Sequence, residues 1–279
     1  MKEFKLSDGT IMAYQEMGGG RPVILTHGWT GESSQYWPDV MPILAEAGFR
    51  AIGIDCRGSG KTSPSKTRPV VQSMWVDDLH EFMEGLDLNG CTLVGSSMGA
   101  TTIMMYIKKY GNDKHVHSIA FVDQCPCITK KDGWDLGMML GNYTLEDGLA
   151  AHALMSRDFY EYYKGFCIAM EPKVQELPED ELKAYVEDMM SHFYPDESVE
   201  LFYSSQYADS RDAIPMIKVP TAYFYAGQSQ LYKPEVADYY KETIPAPVVT
   251  KAFPSSNHLF FMDMPEEFAK ELIRFMKDY

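Results

Sequence analysis

The 279-residue sequence has no long apolar run. Nothing in it approaches the ~18 consecutive apolar residues that suggest a membrane-spanning helix, so no membrane crossing is expected. The N-terminal stretch Met1-Lys2-Glu3-Phe4-Lys5-Leu6-Ser7-Asp8-Gly9 has no apolar core, which argues against a secretory leader. Cysteine is scarce and unpatterned, with five residues and no framework spacing. That excludes a disulfide scaffold and makes the cytoplasm the expected compartment. Cys125-Pro126-Cys127 is the one close pair, and it lacks partners at metal-site spacing, so no metal is expected. Positive charge is also short. Against 40 Asp and Glu there are 25 Lys and Arg, a net charge of −15. This disfavours a broad electrostatic surface for nucleic acid or anionic membranes. A small-molecule substrate is the expected partner, and a homodimer is kept open.

What is present is an alternation of short apolar runs and helical patterns. Val23–Thr26, Phe49–Ile54, Cys91–Val94, Ser118–Val122, Thr221–Ala226 and Val248–Phe253 read as strands. Helices are predicted over Glu32–Gly48, Val71–Leu88, Ala100–Tyr110, from Pro234 onward, and over Pro265–Lys277. This alternation predicts an α/β fold with a mostly parallel sheet covered on both faces. Between about Pro126 and Ile214 the rhythm breaks, and only helical periodicity remains. Many of the 19 Met and 18 Tyr fall there. The expected organisation is a core over residues 1–125 and 215–279, with a helical cap over residues 126–214. Ligands of such sheets bind beyond the C-terminal strand ends, where an insertion leaving a strand end would lie over the site. Met and Tyr suit an adaptable apolar pocket, although each could equally serve the insertion's own core.

The most informative segment is Gly95-Ser96-Ser97-Met98-Gly99, a G-x-S-x-G between a predicted strand and a predicted helix. In that context the serine sits on a sharp turn with its hydroxyl clear of the sheet, and small flanks relieve the crowding. Serine is a weak nucleophile and needs a base. Among seven histidines, His258 is best placed, in the loop after the last strand and before the last helix. His80 lies inside a helix, His115 and His117 flank a surface loop, and His152 and His192 fall in the insertion. An oxyanion would need two donors, expected from the backbone N–H groups of Met98 and Trp29. Gly28 and His27 belong to the same loop as Trp29 and are assigned to the substrate-binding region. Gly28 allows close approach, and His27 holds the loop in shape. Arg57-Gly58-Ser59-Gly60-Lys61-Thr62 imitates the end of a P-loop. The first required glycine is Asp55, and no clear helix follows, so nucleotide binding is not expected.

Together, His27-Gly28-Trp29, Asp55-x-Arg57-Gly58-x-Gly60-x-x-Ser63, the Ser97 turn and Asn257-His258 resemble the α/β-hydrolase family, in particular its capped esterases and haloperoxidase-like members. The resemblance implies a Ser-His-acid triad and no cofactor. The family usually carries its acid as Gly-x-x-Asp after the strand that follows the cap. Here that segment is Gly227-Gln228-Ser229-Gln230. Some members carry the acid one strand earlier, which implies Asp123. Glu235 is the second choice, and Asp55 is expected to organise its own turn. The expected function is hydrolysis of an ester, thioester or lactone of a small, largely apolar acid through an acyl-enzyme on Ser97. The alternatives are perhydrolysis or C–C bond hydrolysis with the same triad, or a weakly or non-catalytic small-molecule-binding protein.

Overall fold

Six of the apolar runs become parallel strands of one eight-stranded sheet. The computed structural model describes the backbone of residues 1–279 and every side chain except that of Pro172. The strands are β1 (Lys2–Lys5), β2 (Ile11–Gly18), β3 (Pro22–Thr26), β4 (Arg50–Ile54), β5 (Cys91–Ser96), β6 (Val116–Val122), β7 (Thr221–Ala226) and β8 (Val248–Phe253). Their order is β1-β2-β4-β3-β5-β6-β7-β8. The β1–β2 and β2–β4 pairings are antiparallel, and all the others are parallel. The N-terminal hairpin is an addition to the expected strands. In β2 a short apolar run, Ile11-Met12-Ala13-Tyr14, is followed by Gln15-Glu16, and it was not read as a strand.

Side chains alternate across the sheet with the period of two that a strand imposes. In β3, Val23 and Leu25 join one core and Ile24 the other. In β6, Ala120 and Val122 face one side, and Ile119 and Phe121 face the opposite side. The first core is closed by the helices Val40–Glu46, Phe260–Asp263 and Pro265–Asp278. The last of these buries Phe268, Ala269, Leu272, Phe275 and Met276, one stripe at helical spacing. The second core is closed by Gln72–Gly85, Met98–Tyr110 and Val236–Thr243.

The single helix expected over Glu32–Gly48 is two, Ser33–Tyr36 and Val40–Glu46. Pro38 accounts for the break, because proline disfavours the helical region for the residue before it, and Trp37 sits at φ −122. The segment between β6 and β7 supplies the helices Leu145–Arg157, Phe159–Met170, Glu179–Met190 and Pro195–Ser205. Among the described residues it adds no strand to the sheet. Thr144 and Asp147 form a reciprocal capping box at the first of these helices, and the Asp158 side chain caps the second. Among the described residues, no helix is long and apolar enough to cross a membrane.

Candidate active site

The site begins with strand register. In the β5–β6 pairing Ser96 lies opposite Val122, so Ser97 and Asp123 leave adjacent strand ends side by side. Ser97 N–H donates to Val122 O at 3.0 Å, and Asp123 N–H donates to Phe224 O at 2.8 Å. Ser97 itself adopts φ 50, ψ −120. For a residue with a side chain such a conformation costs about 1–3 kcal/mol, and the surrounding packing must impose it. The packing is visible at the two flanking glycines. A Cβ on Gly95 would fall 2.5 Å from Ala100 N, and one on Gly99 would fall 2.7 Å from His27 O. Neither glycine can take a side chain without moving backbone, which explains the G-x-S-x-G spacing physically.

Asp123 is fully buried, and it also takes a positive φ of 45. Its Oδ1 accepts from Ala226 N–H at 3.2 Å. Its Oδ2 accepts from Ser229 Oγ at 2.9 Å and faces His258 Nδ1 at 2.7 Å. Three donors therefore converge on one buried carboxylate, which is how a desolvated anion is kept satisfied. His258 is 6% exposed, and Nδ1 must carry the proton it shares with Asp123, leaving Nε2 as the basic nitrogen. Among the described residues Ser97 Oγ makes no hydrogen bond to His258. The two side chains share the wall of one cavity. Such contacts commonly tighten only when substrate binds. Gln230 is exposed, and its amide turns back to Gln228 O at 3.4 Å. Glu235 is exposed at the start of its helix. Asp55 is buried and accepts from Ser33 N–H, Ser33 Oγ and Lys61 N–H at 2.8, 2.6 and 2.9 Å, which fixes the turn around it.

Ser229 was not among the expected site residues. Its hydroxyl donates to Asp123 and accepts from Leu231 N–H at 3.2 Å and Tyr232 N–H at 3.3 Å. It thus ties the β7 loop to the carboxylate. Removing it with Ser229→Ala leaves two amides and one carboxylate oxygen short of a partner. The expected result is a loss of about 1–3 kcal/mol of stability, read by urea unfolding, and roughly a tenfold fall in kcat as Asp123 loosens.

The loop after β3 comes close to the serine. A Cβ on Gly28 would lie 3.2 Å from Ser97 Cβ and 2.9 Å from Tyr36 Oη. His27 is fully buried, with Nδ1 2.7 Å from Gly28 O and Nε2 accepting from Cys56 N–H at 2.9 Å. Both ring nitrogens are thus spent on backbone, and burial holds the imidazole below its usual pKa. Of the loop residues assigned to the substrate-binding region, His27 and Gly28 are not among those that line the cavity. His27 joins this loop to the end of β4, and Gly28 makes room beside Ser97. Trp29 does line the cavity, its indole N–H donating to Ser198 O at 3.0 Å. Thr30, at φ 60, accepts from Tyr163 Oη at 3.2 Å, so the inserted helices brace the loop. Among the described residues, neither Trp29 N–H nor Met98 N–H donates to a protein acceptor. Met98 opens its helix, where the first amides have no intrahelical partner.

The cavity holds about 670 Å³. Ser97, Met98, Trp29 and His258 line it, and the segment between β6 and β7 contributes apolar lining through Met138, Leu154, Tyr162, Phe166, Met170 and Phe202. Among the described residues no metal-ligating cluster lies at this site, and its chemistry is that of a hydroxyl, an imidazole and a buried carboxylate.

Residues 21–265 match the family model of the alpha/beta hydrolase fold. The chain belongs to the α/β-hydrolase fold family. Within that family it is similar to a non-heme chloroperoxidase of Kitasatospora aureofaciens, 31% identical over 125 residues. That match spans 45% of this chain and 45% of the chloroperoxidase, so it reaches less than half of either protein. Lipase 1 of Psychrobacter immobilis is 24% identical over 251 residues, 88% of this chain and 74% of the lipase. Among solved structures, the chain is similar to an esterase from Exiguobacterium antarcticum. It has a TM-score of 0.85 and 25% identity, covering 99% of this chain and 98% of the esterase.

Proposed function

We propose that this α/β-hydrolase is a serine hydrolase that cleaves an ester, thioester or lactone of a small, largely apolar acid. Ser97 Oγ attacks the carbonyl carbon while His258 Nε2 takes its proton. Asp123 keeps His258 in the Nδ1–H tautomer and balances the imidazolium that forms. The N–H groups of Met98 and Trp29 receive the oxyanion. The protonated His258 returns its proton to the leaving oxygen or sulfur. Water then attacks the acyl-enzyme, with His258 again as base, and the acid leaves. The inserted helices act as a cap whose apolar walls select the acyl group. The observation that carries this reading is the 2.7 Å contact between buried Asp123 and His258, in one cavity with a serine held at φ 50. The five free, buried cysteines support action in a reducing compartment such as the cytoplasm.

A panel of p-nitrophenyl esters from acetate to octanoate, with small lactones beside them, tests the reading. Turnover should rise from acetate toward acyl chains that fill the apolar wall. No turnover on any member would overturn it. The likeness to a chloroperoxidase favours one second reading. Hydrogen peroxide could replace water in the second step, releasing a peracid from the same acyl-enzyme. Peroxide-dependent bromide oxidation in acetate buffer would detect it.

A further inference from the structure

At the opposite end of β5 from Ser97 lies a second cluster of donors that the proposed hydrolysis does not use. One ligand-capable atom from each of His80, Asp113 and His115 lies within 4.8 Å of the other two. His80 comes from the helix Gln72–Gly85, and Asp113 and His115 come from the connection leading into β6. Cys91 N–H donates to His115 O, so this cluster sits where β5 begins. Along a six-residue strand that places it about 20 Å from the site at the other end.

The ring of His115 is the informative part. It is buried rather than on a surface loop, and its Nδ1 lies 2.5 Å from Leu88 O. A carbonyl can only accept, so Nδ1 carries a proton. Nε2 lies 2.9 Å from Glu84 Oε1. With Nδ1 committed to Leu88 O, Nε2 is the ring nitrogen left to bind a cation. Anchoring one imidazole nitrogen on a backbone carbonyl is how proteins orient a histidine that ligates metal through the other. His80 is part of the same constellation, with Nδ1 3.9 Å from Asp113 Oδ2 and 3.0 Å from Tyr106 Oη. Tyr106 donates to Asp113 Oδ2 at 2.7 Å, and His80 stacks on Tyr110 at 3.8 Å, so the ring is held in place. Asp113 and His80 stay part-exposed, leaving an entry path. Lys114, 3.2 Å from Glu84 Oε2, is the competing cation.

We propose that His80, Asp113 and His115 form a binding site for a divalent transition metal of the zinc type. Imidazole and carboxylate donors suit such an ion. Bound there, the ion would staple the helix carrying His80 to the connection before β6, remote from hydrolysis. Cysteine spacing gives no hint of this site, because its donors are imidazoles and carboxylates from two separate elements.

The test is zinc titration of the full chain, stripped with chelator, by calorimetry and by thermal unfolding. One zinc per chain is expected, and at a hundredfold excess over Kd a rise in Tm of about 5 °C. His80→Ala and Asp113→Asn, both part-exposed positions, should each abolish the binding and the Tm rise. His117→Ala, an exposed histidine in the same stretch, should keep both. Absence of saturable zinc binding would overturn the proposal. Binding retained in both His80→Ala and Asp113→Asn would overturn it equally, since the ion would then sit elsewhere.

Discussion

Ser97→Ala is expected to lower kcat on any ester that the wild-type chain turns over by about a millionfold, with KM little changed. The loss is so large because alanine removes the attacking atom, while Asp123 and His258 keep a pairing that does not involve Ser97. The amides of Met98 and Trp29 also remain, so a residual rate above that in water should persist through polarisation of the carbonyl. Stability should hardly move, because both residues carry a Cβ at φ 50 and the strain is the same. The check is steady-state hydrolysis of the best p-nitrophenyl ester by freshly purified variant, with Tm measured beside it. A loss of under a hundredfold in a variant of unchanged Tm would mean that Ser97 is not the nucleophile.

Asp123→Asn should cost about ten-thousandfold in kcat. The carboxylate offers two acceptor oxygens, one to Ala226 N–H and one to Ser229 Oγ and His258 Nδ1. Asparagine offers one. If its oxygen faces Ala226, its NH2 group faces His258 and drives the ring to the wrong tautomer. If its oxygen faces His258, the NH2 group meets the Ala226 N–H donor to donor. Neither orientation provides the negative charge that stabilises an imidazolium. The contrasting variant is Gln230→Asp, which creates the sequence pattern most of the family uses. In this chain position 230 is exposed and turned toward Gln228, so this variant should stay within about twofold of wild type. It should not rescue Asp123→Asn. Steady-state rates of the two single variants and the double variant, on one ester, check all three expectations.

The parts of the site legible in the sequence are those where local sterics dictate residue type. Gly95 and Gly99 must be glycine because backbone lies within 2.7 Å of where a Cβ would go, and a pentapeptide records that directly. The inner parallel strands β3 to β7 are legible because both faces are covered, which makes each a largely apolar run. His258 was legible from its place between the last strand and the last helix. Ser229 was not, because its part arises only where the β7 loop meets the end of β6, a contact between residues 106 apart. His27 was legible as the residue that holds its loop in shape, and its two backbone partners show how it does so. Pro38 was in plain view, and the helical periodicity around it concealed the break it causes. His115 read as a surface residue because the residues before it, Asn112-Asp113-Lys114, are polar; its buried ring meets Leu88 O and Glu84, which are distant in sequence.

The account stands on an activated serine at position 97, and a fluorophosphonate probe tests that most directly. Attack by Ser97 Oγ on phosphorus expels fluoride and leaves a stable adduct that intact-mass analysis detects. The expected result is one adduct on the wild-type chain, none on Ser97→Ala, and much slower labelling of Asp123→Asn. An unlabelled wild-type chain, or an adduct that survives Ser97→Ala, would contradict the account.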